Sequence, residues 1–334
     1  MSEPRTALVT GGTGMVGNSI VQSLLARNHR VRALVRSLDK GKRLLPSGCE
    51  LVQGDVTAPE TLGPAAAGCD WVFHAAGFPE QWMKDAKTFE RINADGTANM
   101  VAAARHAGVK RFVFTSTIDV FTWRSGATYD ESEIDPAPKH THYERSKQRA
   151  DRIVSEAVAG GLDAVFLHPS AVYGPAPSDS PGVNELMIKL WHNQAPGLLP
   201  GGFPVVFAPD AGEGHVLAAE RAKPGARFIL SERYYKLSEL AHEIMRLMEL
   251  DRKPPRVLPL WLCSFVSTIG ELKAGLTGKP PLIPKGQLEF LQVDSVPTAQ
   301  RATDELGLRF TPLADGLART IEWLRASGKL SHQP

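Results

Sequence analysis

Short apolar runs alternate with stretches of helical period over the first half of the chain. The apolar runs are bounded by polar or Gly-containing turns, and they predict β-strands at Thr6–Thr10, Arg30–Val35, Glu50–Gln53, Trp71–His74, Arg111–Thr115 and Ala164–Leu167. The predicted helices between them are Met15–Arg27, Pro59–Ala67, Asn93–His106 and Tyr143–Ala159. Thr57 is expected to cap the second of these helices. This alternation predicts an α/β protein with a Rossmann doubly wound parallel sheet and helices on both faces.

The pattern changes after Pro169, where Pro and Gly become frequent. Helical spacing returns over about Tyr234–Met248, Pro259–Gly278 and Leu317–Arg325. We therefore expect one Rossmann domain over residues 1–175, whose sheet receives a further strand from about 205–230. Residues 176–334 should form a smaller, loop-rich region over the carboxyl edge of the sheet, where ligands of such folds bind.

The segment Pro259–Gly278 carries large apolar residues at helical spacing. They are Leu260, Trp261, Leu262, Phe265, Val266, Ile269 and Leu272. Three interpretations fit this pattern: the wall of a ligand pocket, packing in the core, or a helix that rests on a membrane surface. No run reaches the roughly 18 apolar residues of a membrane span, so no integral membrane segment is expected.

Composition excludes several classes of protein. Of 334 residues, 43% are hydrophobic, and 38 basic residues nearly balance 36 acidic ones. A nucleic-acid-binding protein normally carries a basic excess, so no nucleic-acid partner is expected. Cys49, Cys69 and Cys263 lack metal-ligand spacing, and their odd number argues against a disulfide framework. The chain enters a strand soon after Met1, without the pattern of a signal peptide, and we expect a cytoplasmic protein.

A glycine-rich turn lies between the first predicted strand and the first predicted helix. Gly11 permits a tight turn, Gly14 lets the backbone approach a pyrophosphate, and Gly17 lets the helix pack on the sheet. The start of the helix then offers free N–H groups to the anion. In this strand–turn–helix context, the spacing predicts a bound dinucleotide.

Seven motifs, in order along the chain, resemble those of extended short-chain dehydrogenases/reductases of the NAD-dependent epimerase/dehydratase superfamily. They are Thr10–Gly17, Gly54–Thr57, His74–Gly77, Asn93–Asn99, Phe112–Thr117, the pair Tyr143 and Lys147, and His168–Pro175. The second half is most similar to the dihydroflavonol 4-reductase-like and 3β-hydroxysteroid dehydrogenase-like branches. The resemblance implies an NAD(P)-dependent oxidoreductase whose residues 1–175 bind the cofactor and whose residues 176–334 mainly bind the substrate.

The resemblance also implies a set of cofactor contacts. The expected residues are Gly11, Thr13, Gly14, Met15, Val16, Arg36, Lys40, Asp55, Val56, Ala75, Ala76, Gly77, Thr115, Tyr143, Lys147, Pro169, Ala171 and Val172.

Tyr143, Lys147 and Thr117 are the expected catalytic residues. Hydride transfer at a carbonyl or carbinol carbon requires the oxygen to exchange a proton, which Tyr143 can donate or accept. Lys147 lies one helical turn away, and we expect its charge to favour the phenolate and so lower the pKa of Tyr143. Thr117 could donate a hydrogen bond to the substrate oxygen, with Thr115 and Ser116 as adjacent alternatives.

Two positions depart from the family pattern. Thr117 stands where Ser is more common, and His168 stands where Arg is more common, which we interpret as a structural replacement. Asp119 either faces the pocket or caps the following loop. His140 and His142 lack the partners of a metal site, and no metal is expected.

Arg36, directly after the second predicted strand, favours NADP(H) over NAD(H). NAD-specific Rossmann folds carry an acid at this strand end, which bonds the ribose 2′-hydroxyl and would repel a 2′-phosphate. Here a guanidinium can grip the phosphate, and Lys40 and Lys42 follow within reach. Asp39, the one nearby acid, is expected at the start of the next helix. NAD remains the alternative cofactor.

The leading functional hypothesis is an NADP-dependent carbonyl reductase or alcohol dehydrogenase with a fairly apolar small-molecule substrate. Phe78, Trp82, Phe121 and Trp123 follow strands at the carboxyl edge and could line an apolar pocket, although core packing would explain any one of them. The alternatives are a nucleotide-sugar epimerase or dehydratase, whose substrate would need a basic cluster, a 3β-hydroxysteroid dehydrogenase-type oxidoreductase, and a non-catalytic binding protein.

A homodimer is also expected. Ala-rich faces of the helices Asn93–His106 and Tyr143–Ala159 would permit close helix pairing, as in family members that this chain resembles. The residues concerned are Ala98, Ala102, Ala103, Ala150 and Ala157.

Overall fold

A seven-stranded parallel sheet forms the centre of the protein. The computed structural model describes residues 3–80, 82–178 and 182–331. The strands are β1 (Thr6–Thr10), β2 (Arg30–Val35), β3 (Cys49–Gln53), β4 (Trp71–His74), β5 (Arg111–Thr115), β6 (Thr128–Tyr129), β7 (Ala164–Pro169), β8 (Ala171–Tyr173), β9 (Gly202–Phe207), β10 (Arg227–Leu230), β11 (Arg233–Lys236) and β12 (Val296–Pro297). The main sheet has the order β10-β7-β5-β4-β1-β2-β3 with parallel pairing throughout, so the predicted α/β Rossmann fold is confirmed.

Helices cover both faces of this sheet. They are α1 (Met15–Ala26), α2 (Leu38–Leu44), α3 (Leu62–Ala66), α4 (Lys87–Phe89), α5 (Gly96–His106), α6 (His142–Ala159), α7 (Val183–Trp191), α8 (Ala208–Arg221), α9 (Leu237–Leu247), α10 (Leu260–Thr277), α11 (Lys285–Leu291), α12 (Gln300–Leu306) and α13 (Leu313–Ala326). Short 3₁₀ helices lie at Pro59–Thr61 and Ile118–Val120, and a π-helical turn at Glu90–Asp95 leads into α5. Because apolar residues occupy both faces of β1, β4 and β5, the core forms one cluster on each side of the sheet.

Several predicted elements differ in detail. Residues 234–236, predicted as the start of a helix, belong to β11, because residues 233–236 pair antiparallel with β9 before α9 begins at Leu237. The predicted helix Pro59–Ala67 is a 3₁₀ turn followed by α3, and Thr57 is not its cap. The Thr57 hydroxyl instead donates to the Asp55 carboxylate.

Strand β10 lies at the edge of the main sheet, beside β7. Strands β8, β9 and β11 form a second sheet, and α7, α9 and α13 pack with it around a separate apolar cluster. The chain thus returns to the main sheet after leaving it at Pro169. The boundary at residue 175 stays a prediction.

The exposed faces of α5 and α6 bear on the expected homodimer, and that of α10 bears on the interpretation of its apolar residues. Ala150 and Ala157 on α6 are buried against the chain's own sheet, so these two cannot serve in a helix-pairing surface. On α5, Ala102 is exposed, and Ala98 and Ala103 are half-buried. Helix α10 leaves most of its large apolar side chains exposed, so core packing was the wrong interpretation for them. No helix within the described ranges has the length and apolar character to cross a membrane.

Candidate active site

The turn between β1 and α1 has the geometry of a phosphate-binding cradle. Gly11 has φ of +74°, and a Cβ atom there would lie 2.6 Å from the backbone of Ala75. A Cβ at Gly17 would lie 2.2 Å from the Gly11 carbonyl oxygen, so both positions exclude a side chain. A Cβ at Gly14 would meet only that carbonyl, at 3.4 Å, and no side chain caps the start of α1. The Gly14 N–H closes the turn by donating to the Gly11 carbonyl at 2.9 Å. The N–H groups of Met15 and Val16, at the start of α1, therefore fit a pyrophosphate.

A buried hydrogen-bond chain fixes the next loop against this cradle. His74 bridges the hydroxyls of Thr10 (2.8 Å) and Thr97 (3.0 Å), and the Ala76 N–H donates to Thr10 Oγ1 at 3.1 Å. Burial, and then the charge of Lys147, lowers the pKa of His74 to about 3, so its ring is neutral. The sequence analysis treated His74 as part of a motif and missed this structural role. Ala75, Ala76 and Gly77 thereby line the floor beside the glycine turn.

Arg36 and Lys40 are exposed where β2 gives way to α2. Ser37 caps α2 by accepting the Lys40 N–H, and Asp39 lies in the first turn of that helix. On the neighbouring strand end, the Asp55 carboxylate accepts two hydrogen bonds from Thr57, while the Val56 carbonyl accepts from Asn99. These contacts order the loop after β3, at the same sheet edge as Arg36.

Helix α6 presents Tyr143 and Lys147 to the end of β5. Thr141 and Glu144 form a reciprocal capping box, which fixes the first turn of the helix around Tyr143. Lys147 is buried, and its ammonium donates to the Thr115 carbonyl at 2.8 Å. Burial lowers the pKa of Lys147 to about 8, against the opposing charges of Asp151 and Asp119.

The three hydroxyls that follow β5 have different partners. Thr115 pairs with His215 at 2.8 Å, and Ser116 donates to Asp151 at 2.7 Å. Thr117 instead donates to Asp119 at 2.8 Å. Of the three candidates, Thr117 is the one whose hydroxyl influences the pKa of Tyr143, in the lowering direction.

The expected lowering of the Tyr143 pKa is wrong for this structure. Burial raises the pKa of Tyr143, the negative charge of Asp119 raises it further, and the Thr117 hydroxyl only partly opposes them. Lys147 donates to a backbone carbonyl rather than to the phenol. Tyr143 therefore holds its proton at neutral pH.

Asp119 both faces the site and shapes the turn that follows β5. Its N–H donates to Thr117 Oγ1, which caps the 3₁₀ turn, and its carboxylate accepts from the same hydroxyl. Burial, and then the charge of Glu144, raises the pKa of Asp119 to about 6, although Thr117, Lys139 and Lys147 act in the opposite direction.

A buried ion pair lies directly behind these groups. Arg227 on β10 forms two hydrogen bonds to Asp151 on α6, at 2.8 and 3.1 Å, and its guanidinium stacks 3.9 Å over the ring of Phe166. His168 is fully buried between Arg227 (3.3 Å) and the Thr117 carbonyl (3.1 Å).

Burial lowers the pKa of His168 to about 3. The neutral ring donates from Nδ1 to the Thr117 carbonyl and accepts from Arg227 at Nε2. His168 is thus structural, as interpreted, and Arg227 supplies a guanidinium next to it. No sequence motif pointed to Arg227 or Asp151, because their pairing depends on the late return of β10 to the sheet.

Asn93 links the loop after β4 to helix α6. Its amide accepts from the Phe78 N–H at 2.7 Å and donates to Ser146 Oγ at 2.9 Å. Among the aromatic pocket candidates, Phe121 is fully buried, with its ring 4.5 Å from that of His168, so it belongs to the core. Phe78, Trp82 and Trp123 are half-buried.

The last predicted cofactor residues lie where the chain leaves the main sheet. Pro169 ends β7, and Ala171 and Val172 begin β8, both half-buried. Thr13, on the glycine turn, is also half-buried. The structure thus places the predicted cofactor residues along the carboxyl edge of the main sheet, from the glycine turn to β8.

Known proteins match this chain over most of its length. A sequence model of the NAD dependent epimerase/dehydratase family matches residues 7–230. The "Putative dihydroflavonol 4-reductase" of Synechocystis sp. is 30% identical over 331 residues, which cover 97% of this chain and 96% of that protein.

Two further matches add a second curated protein and a solved structure. The 4-hydroxy-2-methyl-3-oxo-4-farnesyl-3,4-dihydroquinoline-1-oxide ketoreductase of Stigmatella aurantiaca is 32% identical over 228 residues, or 67% of each chain. The crystal structure of gox2253 has a TM-score of 0.84 and 29% identity, and the match covers 97% of this chain and 99% of that one.

Proposed function

The chain belongs to the NAD dependent epimerase/dehydratase family, and from this premise we propose that it is an NADPH-dependent carbonyl reductase acting on apolar ketones. The family and the reductase and dehydrogenase relatives establish an NAD(P)-dependent oxidoreductase of the extended short-chain type. The substrate class, the preference for NADPH and the roles of individual residues are the proposal.

One observation carries the direction of the reaction. Tyr143 holds its proton, because burial and Asp119 raise its pKa, while the buried Lys147 is fixed to the Thr115 carbonyl. A reductase needs a proton donor beside the carbonyl oxygen, and a protonated tyrosine meets that need. When bound, the reduced nicotinamide supplies the hydride.

The chain's own residues perform the remaining steps. Tyr143 holds the substrate oxygen and transfers its phenolic proton to that oxygen as the carbonyl carbon is reduced. Thr117 adds a hydrogen bond to the same oxygen when its proton is released from Asp119. The positive charge of Lys147, one helical turn further along α6, stabilises the phenolate that remains. A chain of hydrogen bonds positions Thr117. Asp151 holds Arg227, Arg227 donates to His168, and His168 donates to the Thr117 carbonyl.

The same arrangement supports the proposed cofactor contacts. The glycine turn excludes side chains on its inner side and leaves N–H groups free, which suits a pyrophosphate. Arg36 and Lys40 supply exposed positive charge at the end of β2, which favours a ribose 2′-phosphate and hence NADPH over NADH.

An apolar substrate is favoured by two considerations. A relative of 32% identity is named as a ketoreductase of a farnesylated quinoline oxide, a largely apolar ketone. The basic residues that a nucleotide-sugar substrate would need do not converge: Arg227 is paired with Asp151, and Arg221 donates to the Leu306 carbonyl. We therefore rank the epimerase alternative second.

Absorbance at the nicotinamide band tests the proposal. Mixing the enzyme with NADPH and a panel of apolar cyclic and alkyl ketones should cause continuous loss of the reduced cofactor. Conversion of a nucleotide sugar without net cofactor turnover, together with inactivity toward every ketone, would overturn it.

A further inference from the structure

Helix α10 has the reverse of the usual polarity of a surface helix, because its small residues face inward and its large apolar residues face outward. Its inward face carries small residues, with Cys263, Ser267 and Ala274 buried and Gly270 against Pro281. Its outward face carries the large ones. Trp261, Phe265, Ile269, Leu272 and Leu276 are 71%, 60%, 49%, 69% and 89% exposed. Their spacing of three or four residues places them on one side of the helix, which we call the α10 apolar face.

This face stands out from the rest of the described surface. Over the whole described surface, nine large hydrophobic residues are exposed. Eight of them lie between Val257 and Leu282, and the ninth is Leu38. Contiguous apolar patches beyond a few hundred Å² are rare on water-exposed monomers and mark contact sites. On the inner face, the Ser267 hydroxyl is buried without a hydrogen-bond partner. If this surface faced only water, the hydrophobic effect would favour a helix rotated so that its large apolar side chains point inward. The outward orientation of these side chains therefore indicates an apolar neighbour.

The helix is held firmly in this orientation. Cys263 packs with Ile283 and Leu288 in a small apolar cluster that also takes in Leu258 and Val266. Glu271 is half-buried, and its carboxylate accepts the Lys285 N–H at 3.1 Å. The α10 apolar face is therefore a fixed feature of the fold.

Charge identifies the neighbour. Between residues 251 and 282, the exposed ionisable side chains are one anion, Asp251, and five cations, Arg252, Lys253, Arg256, Lys273 and Lys279. Lys273 directly follows Leu272 on α10, and Lys279 lies just beyond the end of the helix, three residues after Leu276. A helix with Trp, Phe and Leu on its exposed side and a cationic border matches the interface of an anionic bilayer. A second copy of this chain, docked about a two-fold axis, would instead oppose these cations to their own equivalents.

We propose that the α10 apolar face rests on anionic phospholipid surfaces, with its aromatic and aliphatic side chains in the interfacial layer and its lysines at the headgroups. The proposal does not depend on the function proposed above, since it concerns a surface outside the catalytic group. A Cβ at Gly278, where α10 ends, would lie 3.1 Å from Lys84, so the helix ends against the loop that follows β4.

Co-sedimentation of the full chain with vesicles tests this surface. The protein should pellet with phosphatidylcholine vesicles that contain phosphatidylglycerol, and much less with phosphatidylcholine alone or at high salt. The double variant Phe265→Ser/Leu272→Ser should lower the partition coefficient at least ~10-fold, because two large apolar side chains lose lipid contact. Lys273→Gln/Lys279→Gln should lower it for the anionic vesicles only.

Matched controls separate the surface from general effects. Leu38→Ser removes the other exposed large hydrophobic side chain, and Lys223→Gln removes an exposed lysine elsewhere; both should bind vesicles like the parent. The substituted side chains are exposed, so all variants should keep the parent's circular dichroism. Absence of binding to either vesicle, or equal binding by the double variant, would overturn the proposal. Self-association that the same double variant abolishes, without vesicle binding, would assign the face to a second copy instead.

Discussion

The Thr117 hydroxyl donates its proton to the carboxylate of Asp119, two residues further along the chain, at 2.8 Å. The proton that Thr117 would offer to a substrate oxygen is thus held by Asp119 whenever that carboxyl is ionised. Because burial raises the pKa of Asp119 to about 6, this condition changes within the range of ordinary assays. Asp119 consequently links the protonation of the site to the stability of the fold.

Asp119→Asn should stabilise the protein at pH 7.5 but not at pH 4. The pKa of Asp119 in the fold is raised from 3.8 to about 6, which means that the fold favours the protonated carboxyl. The stabilisation by this protonated group is complete below about pH 4 and is lost as the pH rises through about 6, where the buried carboxylate becomes ionised. Asn cannot ionise, so it avoids this loss at pH 7.5. The gain in unfolding free energy should reach at most about 3 kcal/mol. Chemical denaturation at the two pH values measures it, with Asp130→Asn as control, since the pKa of Asp130 is lowered and the sign should reverse. Equal gains at both pH values would exclude this account.

Arg227→Met should destabilise the fold far more than loss of an exposed ion pair. The substitution leaves the buried Asp151 carboxylate without its partner, which typically costs about 3–5 kcal/mol. The control is Arg246→Met, whose pair with Glu243 is largely exposed to solvent and should contribute little to stability. Urea unfolding of both variants provides the comparison, and similar losses would show that Arg227 has no special structural role.

The particular errors of the sequence predictions have physical reasons. Local patterns fixed β1, β2, β4 and β5 to the residue, because apolar runs bounded by turns depend little on distant contacts. Residues 234–236 were predicted to be helical because their strand character depends on pairing with β9, which lies far earlier in the chain. The pKa of Tyr143 could not be derived from its spacing to Lys147, because burial and Asp119 dominate it.

In the candidate active site, too, residues in local motifs could be predicted, whereas residues that act through distant contacts could not. The ordered motifs led to Thr117, Tyr143 and Lys147, which the fold brings together at the end of β5. Arg227 carries no local signal, since it reaches Asp151 only through the return of β10 to the sheet. For α10, the helical period was correct, but the period alone does not say which face points inward.

The expected homodimer stays a prediction, with a smaller candidate surface. Ala102, Ala98 and Ala103 on α5 remain available, whereas Ala150 and Ala157 on α6 are buried in the chain's own core. Sedimentation equilibrium at micromolar protein should give twice the mass of the chain, and Ala102→Glu should shift it toward the monomer because a charge would be buried at the helix pair. A parent protein that sediments as a monomer would refute the dimer.

Arg36→Ala should weaken NADPH and leave NADH nearly unchanged. Loss of charge-assisted bonds to a 2′-phosphate costs about 1.5–3 kcal/mol, or roughly one to two decades in affinity. Fluorescence titration with each cofactor measures the change, and Arg43→Ala is the control, because Arg43 is exposed at the far end of α2. A parent enzyme that uses NADH as efficiently as NADPH would contradict the proposed cofactor.

The most direct test of the proposed reductase is single-turnover reduction of a reactive apolar ketone by the parent and by Tyr143→Phe, each saturated with NADPH. Phe keeps the ring but has no proton to give, so the reduction rate should fall by ~10²–10⁴, while NADPH affinity should stay close to that of the parent. Tyr234→Phe, on β11, should reduce the ketone like the parent. A Tyr143→Phe rate within a few-fold of the parent would contradict the account, because Tyr143 would then not be the proton donor.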